Sequence, residues 1–274
     1  MRSSLEVYDL ATRTTRVVLQ SDAVIEAPNW HPDGFLVNSD GRLYRVPHDA
    51  PHLVPVDTGA LTRCNNDHAF TRDGAQILFG CHRGQGAELF AMPTAGGPAR
   101  LISPEPPTWL HGLAPDGTGM VYCAARGDKT RIDVYTKTWD GPERRLTLGE
   151  AMCDGPDYAA GGAQIYYNCD RSGHAQIWVM NADGSDQHQL FADDHVNWFP
   201  HPSPDGRHVL YLAYPPGTLA HPRDLPVALC LMNPDGTNRR RILEFTGGQG
   251  SSNVPNWSPD GQQFAYIRYE KQEP

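Results

Sequence analysis

No stretch of this chain approaches the roughly 20 consecutive apolar residues that a membrane-spanning helix needs. The opening MRSSLEVYDLATRTTRVVL also has no apolar segment of the kind a signal peptide carries. These two absences predict no membrane span, and a protein that is cytoplasmic as the sequence stands or periplasmic if a longer natural precursor supplies a leader. Cations are scarce too, with 23 Lys and Arg against 32 Asp and Glu and a net charge of −9. Phosphate neutralisation needs clustered cations, so nucleic acid is not the expected partner. The one dense basic run, Arg239 to Arg241, reads as a solvated strand edge that discourages aggregation. The 6 cysteines, Cys64, Cys81, Cys123, Cys153, Cys169 and Cys230, include no CxxC pair. A chain of this size does not need staples, so reduced and mostly buried thiols are expected.

Familiar catalytic signatures are missing as well. There is no GxSxG nucleophile elbow, and GGQGSS from Gly247 to Ser252 shares only its glycines with a phosphate loop, lacking GK[ST] and a following helix. No HxH or HExxH spacing marks a metal site.

What the chain has in quantity is turns. Its 27 Gly and 24 Pro are spread between many short apolar runs, the pattern of a turn-rich β protein. The turn PDG or a relative recurs at Asp33, Asp73, Asp116, Asp205 and Asp260, with Gly161 in place of one Asp, at intervals of 40, 43, 45, 44 and 55 residues. That is the period of a propeller blade, a four-stranded unit that cannot bury both faces until neighbours stack on it. Three residues before the turn stands an aromatic, Trp30, Phe70, Tyr158 or Trp257, with Leu113 and Pro202 as exceptions. β-rich runs follow, such as QILFGC, MVYCAA and HVLYLA, then a third strand such as IWVMNA and a fourth ending in Leu or Ile. Asp-Gly suits tight hairpins because both residues tolerate positive φ. The last unit, NVPNWSPDGQQFAYIRYE, holds only strands one and two, while the first nineteen residues resemble strands three and four. The expectation is one all-β domain over residues 1–274: a six-bladed β-propeller of four-stranded antiparallel blades, its ring closed by the N-terminal strands completing the last blade.

The segments PNWSPDG at 255 to 261, PHPSPDG at 200 to 206 and IWVMNADG at 177 to 184 carry a specific resemblance. The chain resembles the TolB-like six-bladed β-propellers over essentially its whole length. The resemblance implies the fold but not one activity, because that family includes periplasmic scaffold proteins, and related propellers serve as regulatory domains of oligopeptidases or as polysaccharide lyases. Gly161 departs from the repeat, and TolB itself carries a further N-terminal domain that these residues are not expected to supply.

Tight turns join strands one to two and three to four on one face, so the variable connections share the other. The longest there are AYPPGTLAHPRDLPVA, Ala213 to Ala228, and EFTGGQGSSNVP, Glu244 to Pro255. Long loops on a rigid scaffold accumulate binding residues, which places the candidate pocket between these two. Its expected ligand-binding residues are Asn66, Trp109, Asn197, Trp198, His221, Gln249 and Asn253. His68 and His111 stand five residues before their turns in adjacent blades and His201 is one position out of phase, so these three are the candidates for a divalent metal in the channel. Two functions fit. One is a binding or interaction module for a small saccharide, a peptide or another protein. The other is a metal-dependent carbohydrate-active enzyme, lyase-like, in which the metal acidifies a sugar proton beside a carboxylate.

Overall fold

A computed structural model describes residues 1–103, 105–149 and 151–270. No α-helix occurs among the described residues, and none is long and apolar enough to cross a membrane. Blade one comprises Glu26–His31, Gly34–Ser39, Arg42–Pro47 and Val54–Pro55, all antiparallel and in chain order across the sheet. Blades two to five repeat that order, beginning with Cys64–Phe70, Thr108–Leu113, Cys153–Tyr158 and Val196–Pro202. The sixth sheet joins the chain ends: Gln263–Glu270 pairs with Arg2–Asp9, which pairs with Thr14–Ser21. The ring is therefore sealed as expected, but the innermost element of this blade touches its neighbour through one bridge, Trp257 to Phe264. Pro255 and Pro259 offer no N–H there, and the side chain of Asn256 donates to the carbonyl of Ala265 at 2.7 Å instead.

The core lies between blades. Leu5, Val7, Ala265 and Ile267 of blade six pack on Ile25, Phe35 and Val37 of blade one, and equivalent layers separate each later pair. The hairpin turns are held as their residues dictate. Asp205 accepts from the Ser203 hydroxyl at 2.6 Å and from the Arg207 N–H at 3.0 Å, and Asp73 and Asp260 do the same with Thr71 and Ser258. In blade four the turn closes without an Asp because Gly162 supplies the positive φ of 73°. One expectation fails. Cys153 and Cys169, directly opposed on adjacent strands, form a disulfide, while Cys64, Cys81, Cys123 and Cys230 are free and buried.

Candidate functional site

The first strand of each blade lines the axis, and in blades one to five it breaks register with the second strand near the same level. Ala27, Gly155 and Phe199 take positive φ at this bulge, at 57°, 59° and 53°. A bulge twists the strand and re-aims the side chains after it. The channel histidines accordingly point sideways into other blades. His68 Nε2 lies 2.7 Å from the carbonyl of Ala27, His111 Nδ1 lies 3.3 Å from that of Asn253, and His201 Nε2 lies 3.2 Å from that of Ser252. They do not gather around a common point. Among the described residues the group that brings three ligand atoms within 4.8 Å of one another is His111, Cys123 and Asp154, which shares only one histidine with the expected triad.

That group does not suit a metal either. His111 Nε2 is committed to Asp154 Oδ1 at 3.1 Å and its other nitrogen to Asn253. Burial lowers the His111 pKa, but the hydrogen bond and charge of Asp154, and then Asp67, outweigh it and leave the ring above its usual value. Burial likewise opposes ionisation of Asp154, yet His111 and then His221 hold that carboxyl well below the usual range. The two form an enclosed ion pair. Burial, and after it Asp154, push the Cys123 thiol well above its usual value, the reverse of what a thiolate ligand needs. Burial, more than any other cause, raises Asp67, which titrates near 7, and lowers His68 to about 4.

Several expected ligand-binding residues do meet here. Asn253 donates to the Asn66 carbonyl at 3.1 Å, and Trp198 packs edge-on against His221 at 4.5 Å. His221 turns inward, its Nε2 4.0 Å from Asp154 Oδ2, so the long loop of blade five reaches toward the channel on this face. The other three stand apart. Asn197 donates to Asp193 at 3.0 Å, Gln249 holds the loop through its own backbone to Pro222 and Tyr269, and Trp109 is half-buried opposite Cys123.

The open space lies at the other end. A cavity of about 380 Å³ sits on the Asp-Gly turn face, and Trp30, Phe70, Leu113, Tyr158, Pro202 and Trp257, one from each blade, wall it. These six occupy the position three residues before the turn. Sequence reasoning met them as a blade signature and not as the wall of a cavity, although their fixed offset was the available signal. Beside this cavity a second hollow of about 530 Å³ shares Arg72, Leu113 and Pro115 with it and is bounded by Leu78, Arg100 and Trp139. The carboxylates of Asp33, Asp73, Asp116, Asp205 and Asp260 stand on the surrounding turns. Hydroxyl donors come first among the causes that lower Asp73, Asp116 and Asp260. The rim thus carries ionised carboxylates at neutral pH, with Arg72 and Arg207 among them.

No family model matches the chain. The uncharacterised protein Atu1656 of Agrobacterium fabrum (strain C58) is 44% identical over 279 residues, spanning 98% of this chain and 93% of that protein. A solved structure from Agrobacterium tumefaciens given as a TolB is 43% identical with a TM-score of 0.96, covering 99% of each chain. TolB from Acinetobacter baumannii is 18% identical at a TM-score of 0.68 over 90% of this chain and 64% of that one, a likeness of fold. With its ring, blade order and repeats in place, the chain belongs to the TolB-like β-propeller family.

Proposed function

We propose that this propeller is a binding module, and that the axial cavity on its Asp-Gly turn face takes an extended segment of a partner protein carrying apolar and basic residues. The ring of Trp30, Phe70, Leu113, Tyr158, Pro202 and Trp257 carries this reading. Rigid aromatic and apolar walls in a concave site provide the desolvated anchors on which recognition energy concentrates. The hollow beside the cavity favours an elongated ligand over a compact one, since it prolongs the wall outward past Trp139. The anionic turns around the mouth favour cations at the ligand's flanks and predict faster association at low salt. A lyase is less well supported, because both nitrogens of His111 and of His201 already have partners, including Asp154 and Asp157.

Selection from a random peptide library on the immobilised protein tests this. Selected peptides should be basic and apolar, and Trp30→Ala or Tyr158→Ala, both half-buried residues, should weaken binding about tenfold or more. Failure to select peptides, or selected peptides that bind both variants as well as the parent, would sink the proposal. Peptides whose binding is lost in Trp198→Phe but not in these variants would move the site to the loop face.

A further inference from the structure

Two of the six blades carry a cysteine at the start of the first strand and another at the end of the second, and the pairs match in register. Cys153 faces Cys169 in blade four and Cys64 faces Cys81 in blade two. The flanking bonds match too: Asp170 N–H donates to the Met152 carbonyl at 3.1 Å and His82 N–H donates to the Arg63 carbonyl at 2.9 Å. In both blades the residue after the second cysteine therefore bonds the residue before the first. That makes each a non-hydrogen-bonded pair, the position where facing Cα atoms come closest, about 4.5 Å, and side chains touch. The blade-four pair is bridged, at a Cα–Cα distance of 4.1 Å. Blade three has Thr108 facing Ala124 at this end, so the arrangement is not a general property of the repeat.

We infer that Cys64 and Cys81 are a redox modification site, closing a second cross-strand disulfide when a small-molecule disulfide such as glutathione disulfide is present. The two thiols give up two electrons and two protons, a bond forms between their Sγ atoms, and the oxidant's own S–S bond breaks to release two thiols. Burial, and then the Cys81 thiol beside it, push Cys64 up to about 12. The reduced pair thus gains nothing from thiolate formation, and the closed bridge resists reduction. Cys64 and Cys81 are 5% and 1% exposed, so the oxidant gains access when the strand end opens, between the exposed Arg63 and His82. Closure would pin the loop-face end of blade two next to Asn65 and Asp67, on the channel wall.

The test uses the wild-type protein, so no variant has to fold. It is reduced fully, freed of reductant, equilibrated with glutathione disulfide in dilute urea, then denatured, alkylated and mapped by peptide mass. The expected result is a Cys64–Cys81 linked peptide, with alkylatable thiols falling from six in the fully reduced protein to two, Cys123 and Cys230, as both pairs close. Cys64 and Cys81 found alkylated or carrying glutathione while Cys153–Cys169 re-forms in the same tube would overturn the inference. Failure of both pairs to close would overturn it as well, since the blade-four bridge is its template.

Discussion

Replacing Glu6 by alanine should loosen the ring at the one seam where its two chain ends meet. Glu6 lies opposite Tyr266 across the junction of the first and last strands. It accepts from Ser4 Oγ at 2.7 Å, from Arg268 Nε at 2.9 Å and Nη2 at 3.3 Å, and from the Tyr266 hydroxyl. Arg268 also covers the rings of Phe245 and Tyr266, at 5.4 and 5.9 Å. The Glu6 side chain is 6% exposed and that of Arg268 29%, so the pair falls between two regimes. Exposed pairs are worth at most about 1 kcal/mol, whereas unpairing a buried charge costs about 3–5 kcal/mol. For this half-buried pair Glu6→Ala should cost about 2–3 kcal/mol, or roughly 4–12 °C in Tm for a domain of this size. Denaturant unfolding of Glu6→Ala, Arg268→Ala and the double variant should give a coupling energy of about 1–2 kcal/mol. Burial raises the Glu6 pKa, but the hydrogen bonds from Arg268, Tyr266 and Ser4 outweigh it and leave the group below its usual 4.5. A depressed folded-state pKa means the contribution is complete above the unfolded value and is lost as pH falls through the folded one. The gap between wild type and Glu6→Gln should therefore narrow below about pH 4. Additive single variants, with a gap that ignores pH, would refute the reasoning.

The remaining perturbations probe other parts of the ring. Deleting residues 1–19 removes the partner of Gln263–Glu270 and should cause aggregation or loss of cooperative unfolding; unchanged denaturant unfolding would show that the ring closes by other means. Gly206→Val forces a β-branched residue to a φ of 72° and should cost about 1–3 kcal/mol in chemical denaturation, with a wild-type midpoint counting against the turn geometry. His221→Ala should lower stability because the ring packs on Trp198 and Phe199, at 4.5 and 5.3 Å, whereas Gln249→Ala should not, since Gln249 acts through its backbone. The opposite order in Tm would return His221 to the surface. Asp67 titrates near 7 in the fold against about 3.8 unfolded, so wild type should lose stability as pH rises from about 4 to 7. Each pH unit is worth about 1.4 kcal/mol for such a group. Asp67→Asn, close in shape, should be the more stable protein at pH 8 and should lose that advantage at pH 4; equal midpoints at both would place Asp67 in a solvated setting.

The blade architecture was legible because it is written many times. A single Asp-Gly turn is weak information, but its return at one spacing, with the same strands around it, leaves no other fold that buries both faces. Even Gly161 did not mislead, since Gly162 carries the φ that the turn needs. The cysteines were not legible: the hairpin of blade four is centred between Gly161 and Gly162, and only the register shift between Asp154 and Asp157 brings Cys153 opposite Cys169. In blade two the shift between Cys64 and His68 does the same for Cys64 and Cys81.

The three histidines part for a reason that the same bulge explains. Equal offsets from the turn lead to the expectation that His68 and His111 share a height, but height does not fix direction. After a bulge the next side chain can aim along the ring, and His68 spends its nitrogen on Ala27 of the neighbouring blade while His111 reaches Asn253 across the axis. Loop length is also an incomplete guide. A long connection shows where chain is available, not whether it stands open, and the chain from Ala213 to Ala228 is spent carrying His221 down to Asp154. Propellers must fill an axis that no strand crosses, and near the loop face this one fills it with an enclosed ion pair and carbonyl-bound imidazoles. Such a plug ties the inner strands together, since His68, His111 and His201 each bond a carbonyl of another blade. The other mouth keeps a cavity between its wall residues because the Asp-Gly turns around it are too short to fold over the axis. The shortness of those turns, which first marked the blades, is therefore also what the proposed binding site rests on.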